Sequence, residues 1–182
     1  MLQNIAIFLI ATLSSLYISA ILLRFLLALN RADFYNPVSQ FLVAITQPIL
    51  KPLRRFIPAI GKIDTSSLVL AFAVQFIAIS LVYFLRGIGF PLPIIVIASI
   101  AELTRSLIWI LFAAIFVRVL LSWIVNYGAN PLASLLDDLT DPILVPIRKK
   151  VGLVGGFDLS PLIAGILLQV ALIILSPLPN IY

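Results

Sequence analysis

The sequence predicts an all-α membrane protein: four transmembrane helices in two tandem parallel repeats, each with a Pro-kinked amphipathic cytoplasmic segment between its two helices. Three observations predict it. Of 182 residues, 63% are hydrophobic and 10% charged, against roughly 45–50% and 25% in soluble domains, and a chain this short has too little interior to hide that much apolar surface. Several uncharged stretches approach the roughly 20 residues that cross a bilayer as a helix. The chain also matches itself at a shift of 94 positions, which carries Arg24 onto Arg118.

The first span is Ile5 to Leu23, uncharged throughout. Met1-Leu2-Gln3 supplies no basic n-region, so this span reads as a retained anchor rather than a signal peptide. Arg24 follows at its cytoplasmic end, where a long side chain can snorkel to headgroups. The alternative turns Arg24 and Arg118 toward the repeat interface as a symmetric pair that binds an anion or a partner carboxylate.

The segment 36–58 comes next. Asn36 is placed to cap a helix and Pro37 to open it, over Val38 to Thr46. Pro48 is expected to stop that helix, and Pro52 to kink the second, shorter element. In that element Ile49, Leu53 and Ile57 recur at i, i+4, i+8 while Lys51, Arg54 and Arg55 point elsewhere, the pattern of a helix lying at headgroup depth. Asp64, just after Gly61, is placed to cap the second span, Thr65 to Leu85, which carries Gln75 near its middle.

The second repeat has the same order. Its first span lies between Pro93 and Val125, too long for one perpendicular helix, and holds Glu102 and Arg105 at i, i+3, where they can pair toward the outer interface. The segment 130–152 has Asn130-Pro131 as cap and opening, Pro142 and Pro146 as breaks, apolar Ile143, Ile147 and Val151, and basic Arg148, Lys149 and Lys150. Asp158, after Gly155, is placed to cap a last apolar stretch, Leu159 to Tyr182, with Gln169 at mid-span. Gln75 and Gln169 are expected to hydrogen-bond each other across the repeat interface, because an amide in hydrocarbon seeks a partner on another helix.

The polar and proline matches of the two halves, which apolar helices do not produce by accident, are the mark of duplication, with repeats at 1–88 and 89–182. Lys and Arg cluster in the two inter-helix segments, and the opposite side shows only Arg86, so the positive-inside rule puts both segments in the cytoplasm and both termini outside. With no Cys and no His, thiol nucleophiles, disulfides, imidazole bases and the commonest metal ligands are missing. No nucleophile–base pair or phosphate loop can be assembled either, so neither enzyme activity, metal nor cofactor is expected.

Asp33-Phe34-Tyr35-Asn36-Pro37, then Thr46-Gln47-Pro48-Ile49-Leu50-Lys51-Pro52-Leu53-Arg54-Arg55, Ile57-Pro58 and Ile63-Asp64, closely resemble the bacterial YggT (YlmG) family. Asp141-Pro142-Ile143-Leu144-Val145-Pro146-Ile147-Arg148 and Phe157-Asp158-Leu159-Ser160-Pro161 repeat its pattern, as in a two-repeat form. The resemblance implies a multi-pass bacterial inner-membrane protein without established enzymatic activity, associated with osmotic and ion homeostasis and with cell-division neighbours. Chloroplast relatives are linked to haem attachment and nucleoid distribution, but a chain without His and Cys has no haem ligand of the usual kind.

The expected function is a membrane scaffold or assembly factor. Lys51, Arg54, Arg55, Arg148, Lys149 and Lys150 would engage anionic headgroups, another membrane complex or a second copy of the chain, and no nucleic acid is expected. The alternative is a component of an ion or solute transporter acting in the osmotic-stress response, using the symmetric axis as its pathway.

Overall fold

The computed structural model describes residues 1–123, 130–154 and 157–179. Gly155 and the last three residues of the final apolar stretch, 180–182, lie outside them. The described residues form six helices, α1 (Leu2–Leu29), α2 (Pro37–Phe56), α3 (Thr65–Arg86), α4 (Leu92–Ser122), α5 (Pro131–Val151) and α6 (Ser160–Leu175), with a two-stranded ribbon of β1 (Leu153–Val154) and β2 (Phe157–Asp158) before α6.

Among these, α1, α3 and α4 are long and apolar enough to cross a membrane, whereas α6 is equally apolar but only 16 residues long. The uncharged run that begins at Leu159 is therefore not all helix. Pro177 and Pro179 lack amide hydrogens and disfavour helical backbone before them, so the helix ends at Leu175 and the chain turns.

Helices α2 and α5 run unbroken through their prolines, where a stop was expected at Pro48 and Pro142. The physical reason is the four-residue spacing. Pro48 and Pro52, like Pro142 and Pro146, stack on one exposed stripe, so the carbonyls that lose an N–H partner face outward. The opposite stripe of α2, Ser39, Leu42, Thr46 and Leu50, is buried against the bundle. The outward stripe keeps Phe41, Ile45 and Ile49 exposed.

The two halves use the same contacts. In the first, α1 packs on α3 and α2 touches both; in the second, α4 packs on α6 and α5 touches both. The halves meet mainly through α3 and α4, with smaller contacts of α1 on α4 and α5 and of α2 on α5. The largest buried cluster crosses this boundary, joining Phe25, Leu26 and Leu27 of α1 and Leu42 of α2 to Ala114 of α4 and Leu135, Leu136 and Leu139 of α5. Between helices in a lipid environment such close packing is itself a principal source of association.

Candidate functional site

Two arginines, one per half, tie the long helices to α2 and α5. The Arg24 guanidinium donates to Thr46 Oγ1 at 2.6 Å and to Gln47 Oε1 at 2.6 Å. Arg118 donates to Thr140 Oγ1 at 2.6 Å and to Asp141 Oδ1 at 2.8 Å, and pairs with Asp137 Oδ1 at 2.8 Å. Each threonine hydroxyl in turn donates a hydrogen bond to the carbonyl one turn back, Leu42 at 2.7 Å and Leu136 at 2.6 Å, so arginine, hydroxyl and backbone form one chain of bonds. The partners of Arg24 and Arg118 in these bonds are neither headgroups nor each other. These bonds lie within one half in each case, and Arg24 is only 5% exposed.

A second repeated bond closes each half at the other end of the short helix. Arg54 donates to the Asp64 carboxylate, and Arg148 Nε donates to Asp158 Oδ2 at 2.7 Å. A tight reversal sets up each pair. Ile60 and Ile63 exchange backbone bonds of 3.1 Å around Gly61, whose φ of 62° suits glycine, and Val154 pairs with Phe157 at the equivalent positions. Asp64 accepts from Arg54 and from Ser67 Oγ rather than capping α3 through a backbone N–H; Asp158 does accept the Ser160 N–H, at 2.9 Å. Burial works against both carboxylates, but the bonds from Arg54 and Ser67 hold Asp64 below the usual carboxylate range, and those from Ser160 and Arg148 do the same for Asp158.

Of the six basic residues expected at a lipid or partner surface, Arg54 and Arg148 are therefore engaged within the chain. Lys51, Arg55, Lys149 and Lys150 are exposed, and among the described residues none of these four enters an ion pair.

The polar contact between the halves comes from the Asn-Pro junctions. Asn36 Oδ1 accepts the Val38 N–H at 3.0 Å and Asn130 Oδ1 accepts the Leu132 N–H at 2.9 Å, while Asn36 Nδ2 donates across the boundary to the Pro131 carbonyl at 2.6 Å. The starts of α2 and α5 meet there. Gln75 and Gln169 occupy unlike surroundings. Gln75 is buried in α3, whereas Gln169 is exposed on α6, in an apolar groove with Phe112 and Phe116 of α4. Both helices pack on α4, but α3 also packs on α1 and α6 on α5.

Arg105 does more than pair with Glu102. Besides the 2.5 Å ion pair, it donates to the carbonyls of Leu175 at 2.7 Å, Leu178 at 2.9 Å and Pro179 at 3.1 Å, closing the C-terminal end of α6. The Leu175 carbonyl stands at the negative end of the helix dipole and those of Leu178 and Pro179 follow in the turn beyond it, so one guanidinium serves the helix end and the turn together. Sequence reasoning reached the pair but not the cap, because residues about 70 positions apart carry no spacing signal.

Asp137 and Asp141 were not picked out from the sequence either. A position-by-position comparison of the halves carries their signal, since Val43 and Gln47 stand where the second half has these two acids. Among the described residues no group of acidic side chains is arranged to hold a metal. The chemistry on view is ionic and hydrogen-bonded anchoring.

Comparison with known proteins agrees with this architecture. The CCB3/YggT family model matches the chain twice, over residues 3–85 and 97–179. An uncharacterised protein of Pseudomonas aeruginosa is 43% identical over 170 residues, covering 92% of this chain and 86% of the relative. The uncharacterised protein YggT of Escherichia coli K12 is 41% identical over 168 residues, covering 92% and 87%. A Haemophilus influenzae protein is 33% identical over 154 residues, covering 85% and 82%. No solved structure matches. Two copies of one family unit in order, each closed by the same arginine bonds, make this chain a member of the CCB3/YggT family.

Proposed function

We propose that the chain is a non-enzymatic scaffold or assembly factor of the bacterial inner membrane, in which the ends of α2 and α5 engage anionic headgroups and a partner membrane complex. In this reading the chain crosses the membrane four times, with α6 as a short crossing of about 24 Å, which local thinning of the bilayer accommodates. Helices α2 and α5, bent at their prolines, lie on the cytoplasmic side and both termini are periplasmic, as the distribution of Lys and Arg favours.

The observation that carries the reading is the division of labour among the basic residues. In each half one arginine is spent on an internal aspartate, while Lys51 and Arg55, or Lys149 and Lys150, stay exposed beside it. On α2 these charges adjoin the exposed Phe41, Ile45 and Ile49, the combination that seats a helix at the headgroup boundary. Each such charge near an anionic surface contributes about 1 kcal/mol.

Photo-crosslinking groups at Lys51, Arg55 and Lys149, in the full chain in native membranes, test this. A recurrent protein adduct together with anionic lipid is the expected result. Salt-driven ion or solute flux through the purified chain in liposomes overturns it in favour of a transporter component.

A further inference from the structure

The two arginine clasps differ in a way that duplication alone does not explain. Arg118 is neutralised by Asp137 and Asp141. At the matching positions Arg24 meets Val43 and Gln47, and among the described residues no carboxylate pairs with it. Arg54 and Asp64 both act on Arg24 with opposite signs and are already bonded to each other, so they supply no spare negative charge. Yet Arg24 is the more deeply buried of the two. A buried cation without a counter-charge costs several kcal/mol in lost hydration.

Two further features converge on the same spot. A cavity of roughly 10 Å³ opens beside Arg24, lined by Ser39, Leu42, Val43 and Phe34, room for about one water-sized occupant. Ser39, 4% exposed, has a hydroxyl with no hydrogen-bond partner. Its counterpart in the second half is Ala133, so no equivalent hydroxyl stands beside Arg118 and its carboxylates. Val43, whose counterpart is Asp137, forms part of the cavity wall.

We propose that this cavity binds a small monatomic anion of the size of chloride, held by the Arg24 guanidinium and the Ser39 hydroxyl, as the exchangeable counter-ion that the second half carries covalently in Asp137 and Asp141. The bonds to Thr46 and Gln47 leave further guanidinium N–H groups for an acceptor. The cavity is water-sized as it stands, so a halide enters only with a small outward shift of its wall, and the apolar Leu42 and Val43 offer a larger oxyanion no further donors. Phe34, half exposed at the edge, is the side chain that yields on entry. The site is independent of the scaffold reading.

The test is thermal stability of the purified full chain in detergent, with chloride exchanged for gluconate at constant ionic strength. Wild-type protein should show a saturable rise in Tm of about 2–4 °C with chloride or bromide. Ser39→Ala should move the midpoint to roughly tenfold higher chloride, and Val43→Asp, which builds in the carboxylate, should abolish the dependence. A wild-type Tm indifferent to halide, or an unchanged halide response in either variant, overturns the proposal. Should Val43→Asp fail to fold, wild-type crystals grown in bromide decide. An anomalous peak between Arg24 and Ser39 is expected, and a water or nothing there overturns it.

Discussion

The two halves have one plan and two electrostatic solutions. Helix α2 carries Lys51, Arg54 and Arg55 with no acid, while α5 matches its three basic residues with Asp137, Asp138 and Asp141. In the first half the buried arginine bonds neutral groups; in the second it bonds two carboxylates. The helix ends differ too. α3 closes on Gly87 in the left-handed conformation, with φ of 69°, and α6 closes on the side chain of Arg105. A shared backbone frame thus tolerates exchange of its charged groups, provided each buried charge finds hydrogen-bond partners.

The largest expected effect separates the helix ends. Arg105→Ala removes the cap of α6 and leaves Glu102 buried without its partner, which should cost about 3–5 kcal/mol. Its counterpart Ala11 has no such duty, so Ala11→Ser should leave Tm unchanged in the same thermal melts. If the Arg105 variant melts like wild type, the cap is decorative and the halves are more alike than their bonds indicate.

The arginine clasps should respond unequally. Arg118→Met strands two carboxylates, and because both are partly exposed the loss should be about 2 kcal/mol rather than the fully buried figure. Arg24→Met, assayed without chloride, relieves the desolvation of a cation that has no carboxylate but loses its bonds to Thr46 and Gln47. The two effects offset, so the net loss should be smaller than at Arg118, under about 1 kcal/mol. Equal losses would show that hydrogen bonding to Thr46 and Thr140, common to both halves, carries the clasp.

At the Asn-Pro junctions, Asn130→Ala loses a cap, about 1 kcal/mol, and Asn36→Ala loses a cap and the bond to Pro131, about 1 kcal/mol more. Denaturation of the single and double variants measures the difference. The smallest effect is on pH. Asp64 and Asp158 sit below their unfolded value of about 3.9, so their contribution is present above that value and is lost as pH falls through the folded one. Tm should therefore drop below about pH 4, and Asp64→Asn with Asp158→Asn should flatten that part of the curve.

Much of the frame was legible because its signals are local or periodic. Uncharged apolar runs marked most of α1 and α3, a long apolar stretch with few charges marked α4, and the polar matches at a shift of 94 marked the repeat. Asn36 and Asn130 could be read as caps since a cap needs only the next two or three residues. The prolines misled, because whether a missing N–H breaks a helix depends on which way the orphaned carbonyl faces. Arg54 and Arg148 looked free because their aspartates lie across a reversal ten residues on.

Membrane-helix composition, duplication and the clustering of basic residues were determined by the sequence itself, since hydropathy and self-similarity are properties of residue order. Apart from the local Glu102–Arg105 pair, which charge meets which was decided only by the tertiary structure. Arg24 to Thr46, Arg105 to the end of α6, Asn36 to Pro131 and the unpaired Ser39 beside Arg24 all depend on how helices dock. Hydrogen bonds act over about 3 Å, and sequence distance does not report that separation.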